Sequence, residues 1–260
     1  MGLDEGRDFS RWNGTRLAEE TDHRPKPLVE IGGKLTLWHV MKYYESLQIK
    51  RVHHCARLQE RGDHTIFLDL YYYSSDLTVR TGDGTVTVHA QHREPNWTVH
   101  LIDTGALTDT GGRIKRLAPY IGDSTFMLTW CDGLSDVDLD RLLAFHRAHR
   151  KLATVTTVRQ PARFGYLDLD REQVRGFREK PDDGEGWING AFFVLEPGVF
   201  EYIKDDTTSW ERGPMVELAA KGQLAAYRHN SYWQCMDTLR EKRMLEDLWR
   251  SGKAPWKTWE

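Results

Sequence analysis

Short apolar or β-branched runs at 97–102, 125–131 and 153–158 alternate with helical sequence, and that rhythm constrains the fold more than any other feature. The segment 138–150, between the last two runs, reads as a helix with Ser135 and Asp136 available as caps. Strands that alternate with helices build parallel βαβ units, which wind into a sheet with helices on both faces. Upstream, Leu37, Val40, Met41, Tyr44 and Leu47 recur at helical spacing over 36–47. At the far end, 238–250 is amphipathic, with Leu239, Met244, Leu245 and Leu248 on one side. The tract 77–89 breaks the pattern: Thr78, Val79, Val86 and Val88 flank Gly82-Asp83-Gly84, a hairpin signal. Residues 163–195 are strand-rich, with 181–186 as a connecting loop. No internal repeat, low-complexity tract or long linker divides the chain.

A length of 260 residues suits one large α/β domain or one domain with a small appendage. With 10 Trp, 10 Tyr and 9 Phe the chain can fill a sizeable core. The net charge of −3 leaves no footprint for polymeric nucleic acid or an anionic membrane, so any phosphate site must be a local cluster of Lys and Arg. No apolar run is long enough to span a bilayer. The opening residues carry Asp4, Glu5 and Asp8 and no apolar stretch, which is unlike a secretory signal. Cys55, Cys131 and Cys235 are an odd, scattered set without the paired spacing of a zinc site; reduced thiols in a cytoplasm are the expectation. His53-His54, and His146 with His149, read as ordinary histidines; the second pair has a helical spacing that can chelate a metal, but no third ligand accompanies it.

Two apolar runs stop at an acid. Thr125-Phe126-Met127-Leu128-Thr129-Trp130-Cys131 ends at Asp132-Gly133, and Tyr232-Trp233-Gln234-Cys235-Met236 ends at Asp237. Carboxylates at strand ends are suitable ligands for a hard divalent cation. The plainer alternatives are a turn at Asp132-Gly133 and a helix cap at Asp237. Lys26 lies between Pro25 and Pro27, which stiffen its backbone.

These and further segments resemble the sugar-1-phosphate nucleotidyltransferases, and within them the glucose-1-phosphate cytidylyltransferases. The resemblance is carried by Asn13-Gly14-Thr15-Arg16-Leu17, Arg24-Pro25-Lys26-Pro27, Leu37-Trp38-His39-Val40-Met41-Lys42, Asp103-Thr104-Gly105, Thr110-Gly111-Gly112-Arg113, Arg163-Phe164-Gly165, Glu179-Lys180-Pro181, Gly186-Trp187-Ile188-Asn189-Gly190 and Ala254-Pro255-Trp256-Lys257. It implies a Rossmann-like α/β fold: a mixed, mostly parallel sheet flanked by helices, over 13–260, with a hairpin excursion near 76–90. It implies Mg2+ held by Asp132 and Asp237, with CTP and glucose 1-phosphate as substrates. Arg16, Lys26 and Asp132 would be catalytic. Gly14, Thr15, Arg16, Lys26, Thr108, Thr110, Gly111, Gly112 and Arg113 would bind the nucleotide. Glu179, Lys180, Trp187, Asn189 and Gly190 would bind the sugar phosphate. A cytoplasmic homo-oligomer is also implied.

The chain departs from the family at its start. Where the family has a buried strand and a glycine-rich loop, residues 1–12 carry Asp4, Glu5, Arg7, Asp8 and Arg11 and no apolar continuity. The first strand is therefore expected to be missing or replaced. This leaves an alternative open: a regulatory or inactive sugar-nucleotide-binding relative with a defective phosphate loop. A third reading keeps the activity but changes the base or the sugar.

Overall fold

The structure, a computed structural model, describes residues 29–45, 49, 51–56, 75–91, 97–159, 166–171, 173–178 and 186–259. Strands β1 (Glu30–Ile31) and β2 (Lys34–Leu35) are joined by Gly32-Gly33. Both glycines have positive φ, 61° and 73°, as a two-residue hairpin of this hand requires. Helix α1 (Thr36–Glu45) follows and buries Leu37, Val40, Met41 and Tyr44, four of the positions its period singles out.

Strand β3 (Arg51–Ala56) pairs in parallel with β6 (Thr98–Asp103). Between them lies the antiparallel hairpin of β4 (Ser75–Arg80) and β5 (Thr85–Gln91), closed by Gly82-Asp83-Gly84 as expected. Helices α2 (Thr110–Arg116) and α3 (Ala118–Ile121) come next, then β7 (Phe126–Thr129), β8 (Gly133–Ser135), α4 (Leu139–His149) and β9 (Ala153–Val158). Asp138 caps α4 by accepting from the Arg141 N–H at 2.9 Å. Ser135 and Asp136, the expected caps, are used elsewhere: the Ser135 hydroxyl donates to the Tyr232 carbonyl, and Asp136 meets His229 and Ser231.

The second half adds the hairpin β10 (Tyr166–Asp170) and β11 (Gln173–Arg178), then β12 (Ile188–Leu195) and a 3-10 turn at Pro197–Tyr202. Helix α5 (Pro214–Ala220), β13 (Leu224–Arg228), β14 (Trp233–Cys235) and α6 (Leu239–Arg250) complete the chain order.

The central sheet has the order β13-β9-β12-β7. Strands β9 and β13 are parallel, and β12 runs against both β9 and β7. Thus β7, β9 and β13 point the same way, and β7–α4–β9 is the expected βαβ unit with β12 inserted between its strands. The architecture is the mixed α/β sheet with flanking helices. Two of the eight described ladders are parallel, β3–β6 and β9–β13; the antiparallel six are three hairpins and the pairings of β12 with β7 and β9 and of β14 with β8.

Strand β12 alternates between two cores. Phe192 and Val194 join Tyr44, Leu142, Leu245 and Trp256 on one face. Phe193 and Leu195 join Val155, Ile203, Trp210 and Leu218 on the other. A strand buried on both faces must be apolar throughout, and each such side chain contributes about 1.5–3 kcal/mol by leaving water. Among the described residues, no helix is long and apolar enough to cross a membrane. Residues 1–12, where the first strand is expected to be missing or replaced, lie outside the described residues.

Candidate active site

The carboxyl ends of β7, β9 and β13 lie at one edge of the sheet, together with the start of the opposed β12. Such an edge is where open α/β sheets bind ligands. Asp132 follows β7 in a turn, and Gly133 just after it pairs with Cys235 in the antiparallel β8–β14 ladder. One step beyond that ladder, the Met236 N–H donates to the Asp132 carbonyl at 2.8 Å. Asp237 is the next residue, so two aspartates far apart in the sequence sit on neighbouring strand ends.

Asp237 is not the helix cap. Thr238 caps α6: its hydroxyl accepts from the Glu241 N–H at 3.2 Å, and Glu241 Oε2 accepts from the Thr238 and Asp237 N–H groups at 2.9 and 2.7 Å. The capping box thereby fixes the Asp237 backbone and leaves its carboxylate beside the positive end of the helix dipole. The Cys235 thiol donates to Asp237 Oδ2 at 3.5 Å. Burial first, then the charges of Asp237, Glu241 and Asp132, push that thiol up to about 12, so it stays protonated. Ligand atoms of Cys235, Asp237 and Glu241 all lie within 4.8 Å of one another. Asp237 and Glu241 supply carboxylate oxygens of the kind a hard divalent cation takes, whereas a protonated thiol is a poor ligand; Asp132 joins them through its backbone and is not in that group.

Trp233 links these strands to the sugar-side segment. Its indole lies over Gly133, where an added Cβ would sit 3.7 Å from Nε1, and that Nε1–H donates to the Gly190 carbonyl at 2.8 Å. Gly190 itself lies so close to β9 that a Cβ would come within 3.0 Å of the Thr156 carbonyl. Beside it Ala191 has φ 60°, and its N–H donates to Asn189 Oδ1 at 2.8 Å. The β12–β9 register shifts between Asn189 and Phe193. Bulges of this kind re-aim side chains next to active sites; here Asn189 is left exposed. Trp187, just before β12, carries two guanidiniums over its ring, Arg159 at 4.8 Å and Arg228 at 5.4 Å.

The nucleotide-side residues gather around α2. Asp109 is its N-cap. The Thr110 hydroxyl donates to Glu211 at 2.8 Å and accepts from the Trp210 N–H at 2.9 Å. The Gly111 and Gly112 N–H groups both donate to the Thr208 carbonyl, at 2.9 and 3.2 Å. A Cβ on Gly111 would meet that carbonyl at 2.6 Å, and one on Gly112 would meet Asp206 at 2.6 Å. The close approach these glycines permit is therefore to the chain's own 205–210 loop. Thr108 is buried against Gly112, and Arg113 donates to Thr104 Oγ1 at 2.5 Å and to the Gly105 carbonyl at 3.0 Å. Together they set the loop at the carboxyl end of β6.

Of the other sequence-derived candidates, Gly14, Thr15, Arg16, Lys26, Glu179 and Lys180 lie outside the described residues. His146 and His149 are structural: both bond to Thr154 Oγ1, and His146 also meets Glu196 at 3.0 Å. Trp233, Arg159 and Arg228 were not legible as site residues. Each ends or lines a strand whose neighbours the sequence does not name.

An open α/β sheet with two aspartates on neighbouring strand ends at its carboxyl edge suits a nucleotide-transferring enzyme. The chain belongs to the nucleotidyl transferase family, whose model matches residues 13–239; enzymes of this family use a divalent metal. More narrowly, the chain is 47% identical over 248 residues to the glucose-1-phosphate cytidylyltransferase of Salmonella typhi, covering 95% of this chain and 96% of that one. It is 37% identical over 247 residues to a probable glucose-1-phosphate cytidylyltransferase of Bacillus subtilis, with the same coverage. Among solved structures, HddC from Yersinia pseudotuberculosis superposes with a TM-score of 0.64 at 22% identity, over 91% of this chain and 95% of that one. A UDP-glucose pyrophosphorylase complexed with UDP-glucose gives 0.61 at 13% identity, over 92% and 96%. At those identities the two structures establish the fold.

Proposed function

We propose that the chain makes CDP-glucose and pyrophosphate from CTP and α-D-glucose 1-phosphate. The observation that carries this reading is the pairing of Asp132 with Met236-Asp237 at the carboxyl edge of the sheet, in a chain that shares 47% identity with a cytidylyltransferase along nearly its whole length. In the reaction a phosphate oxygen of the sugar phosphate bonds to the α-phosphorus of CTP. The bond from that phosphorus to the bridging oxygen breaks, and pyrophosphate leaves. The attacking phosphate is already ionised, so no general base is required. Catalysis is then positioning and charge neutralisation.

Asp132 and Asp237 would hold Mg2+, which when bound neutralises the two anionic reactants. Asn189 and Gly190, fixed by the bulge and by Trp233, would face the sugar, and Glu179 and Lys180 would complete that side. Thr108, Thr110, Gly111, Gly112 and Arg113 would shape the loop beneath the nucleotide. Gly14, Thr15, Arg16 and Lys26 would receive the phosphates that leave. A homo-oligomer in the cytoplasm belongs to the same reading, and sedimentation of the purified chain tests its assembly.

The deciding experiment measures pyrophosphate released with Mg2+, glucose 1-phosphate and each of CTP, UTP and dTTP in turn. Release with CTP alone is expected. Release with another nucleotide would change the base assignment. No release with any of them, from a folded protein, would move the reading to a sugar-nucleotide-binding relative.

A further inference from the structure

We infer that Arg159 and Arg228, set over the ring of Trp187, form the anion subsite that captures the phosphate of the sugar 1-phosphate. The inference rests on the transferase reading above. Its starting point is geometric. Arg228 is the last residue of β13, and Arg159 is the residue after β9, so both stand at the carboxyl ends of adjacent parallel strands. Ile188 pairs with Val158 across the β12–β9 ladder, and Trp187 and Arg159 are the next residues on either strand. Three side chains from three sections of the chain therefore converge on one point of the sheet edge.

Strand alternation also fixes the face. Val155 and Leu224 pack in the same core cluster, and Arg159 and Arg228 lie four residues beyond them on their strands. Positions i and i+4 of a strand share a face. Trp130 packs against that same cluster, two residues before Asp132. The two guanidiniums thus lie on the face of β9 and β13 that packs this cluster, at the edge where Asp132 follows β7 in a turn. A second connection runs through His229, which follows Arg228. Its Nε2 lies 3.0 Å from Asp136 and 3.3 Å from the Ser135 hydroxyl, and so ties the end of β13 to β8, the strand that begins one residue after Asp132.

The chemistry selects the ligand. A guanidinium over an indole is attracted by the ring quadrupole, but two over one ring also repel each other. Among the described residues, neither guanidinium pairs with a carboxylate, and both residues are exposed. A phosphate monoester carries charge and acceptor oxygens for two forked donors at once. Its seating between them would remove the repulsion and leave the Trp187 ring against the sugar.

Kinetics of the full chain test this. Arg159→Ala and Arg228→Ala are each expected to raise KM for glucose 1-phosphate about tenfold, with KM for CTP within about twofold, the signature of lost binding on one substrate. Arg→Lys at either position keeps the charge but not the fork, and should fall between wild type and alanine. Binding is read independently by intrinsic fluorescence without CTP. Inorganic phosphate and glucose 1-phosphate should change the emission while glucose alone does not, and Trp187→Phe should abolish the change.

An unchanged KM for glucose 1-phosphate in both alanine variants would overturn the subsite while leaving the transferase intact. So would an equal rise in both KM values, which would mean that the pair merely pins the 186–188 turn. If the wild type makes no CDP-glucose, yet the fluorescence responds to glucose 1-phosphate and the response is lost in the arginine variants, the transferase reading fails and the anion subsite stands.

Discussion

Asp132 and Asp237 can be identified in the sequence as acids that end apolar runs, and that much is local. The joint role proposed for them depends on the Met236 N–H bond to the Asp132 carbonyl, which no local pattern announces. Asp132→Asn and Asp237→Asn should each lower pyrophosphate release by about 10²–10³-fold, since each removes a charge placed to neutralise phosphate. Circular dichroism should stay that of wild type; unchanged turnover in both variants would refute the metal assignment. Gly112 makes a different argument. A methyl group there would press on Asp206 at 2.6 Å, where backbone cannot swing away. Gly112→Ala should cost about 1–3 kcal/mol in urea unfolding, the usual range for overpacking. A variant as stable as wild type would mean that the 205–210 loop yields freely. The Thr-Gly-Gly-Arg motif was legible as a motif, but the partner of its glycines was not, because a close approach is set by whichever loop folds over it.

Elements were legible wherever their period was local. The helices at Thr36–Glu45, Leu139–His149 and Leu239–Arg250 fall within two residues of their expected bounds, and the Gly82-Asp83-Gly84 hairpin closes as its turn residues demand. The insertion of β12 between β7 and β9 was not legible. An apolar run buried on both faces pairs equally well with many neighbours, and its place is decided by how the layers pack. The Asn189–Ala191 bulge was hidden for the same reason, since a register shift exists only relative to a partner strand. Trp233 joins these two arrangements. Its Nε1–H reaches from the β8–β14 ladder to the Gly190 carbonyl. Trp233→Phe keeps the ring but removes that donor, at a cost of about 1–2 kcal/mol for an acceptor left without its partner. Turnover should fall with stability, because the aspartates and the sugar-side bulge lose their shared support. Full activity in this variant would show that the two sides hold their positions separately.

Across the whole molecule, the tail returns to the first described helix. His39 Nε2 donates to the Ile31 carbonyl at 2.9 Å, and its Nδ1 accepts from Trp256 Nε1 at 3.4 Å. That arrangement needs a neutral ring. Burial lowers the His39 pKa from 6.5 to about 4, against a smaller opposing effect of the Ile31 carbonyl. Between those values the unfolded chain binds the extra proton and the native one does not. The stability tied to the neutral ring is thus fully present above about pH 6.5 and is lost as pH falls through about 4. Its size is about 3 kcal/mol, from 1.36 kcal/mol per pKa unit. Urea midpoints at pH 7, 5.5 and 4.5 should fall in that order, and His39→Gln should flatten the trend; a slope unchanged in that variant would place the acid sensitivity elsewhere. The sequence by itself determined the α/β class and most element positions, because period and turn chemistry act over a few residues; its ordered motifs carried the family resemblance and marked the two acids. Tertiary structure alone decided the strand order, the bond of Asp132 to Met236 beside Asp237, the contact of His39 with Trp256, and the convergence of Arg159 and Arg228 on Trp187. Those are contacts between distant segments, fixed by burial of shared apolar faces rather than by any local preference of the chain.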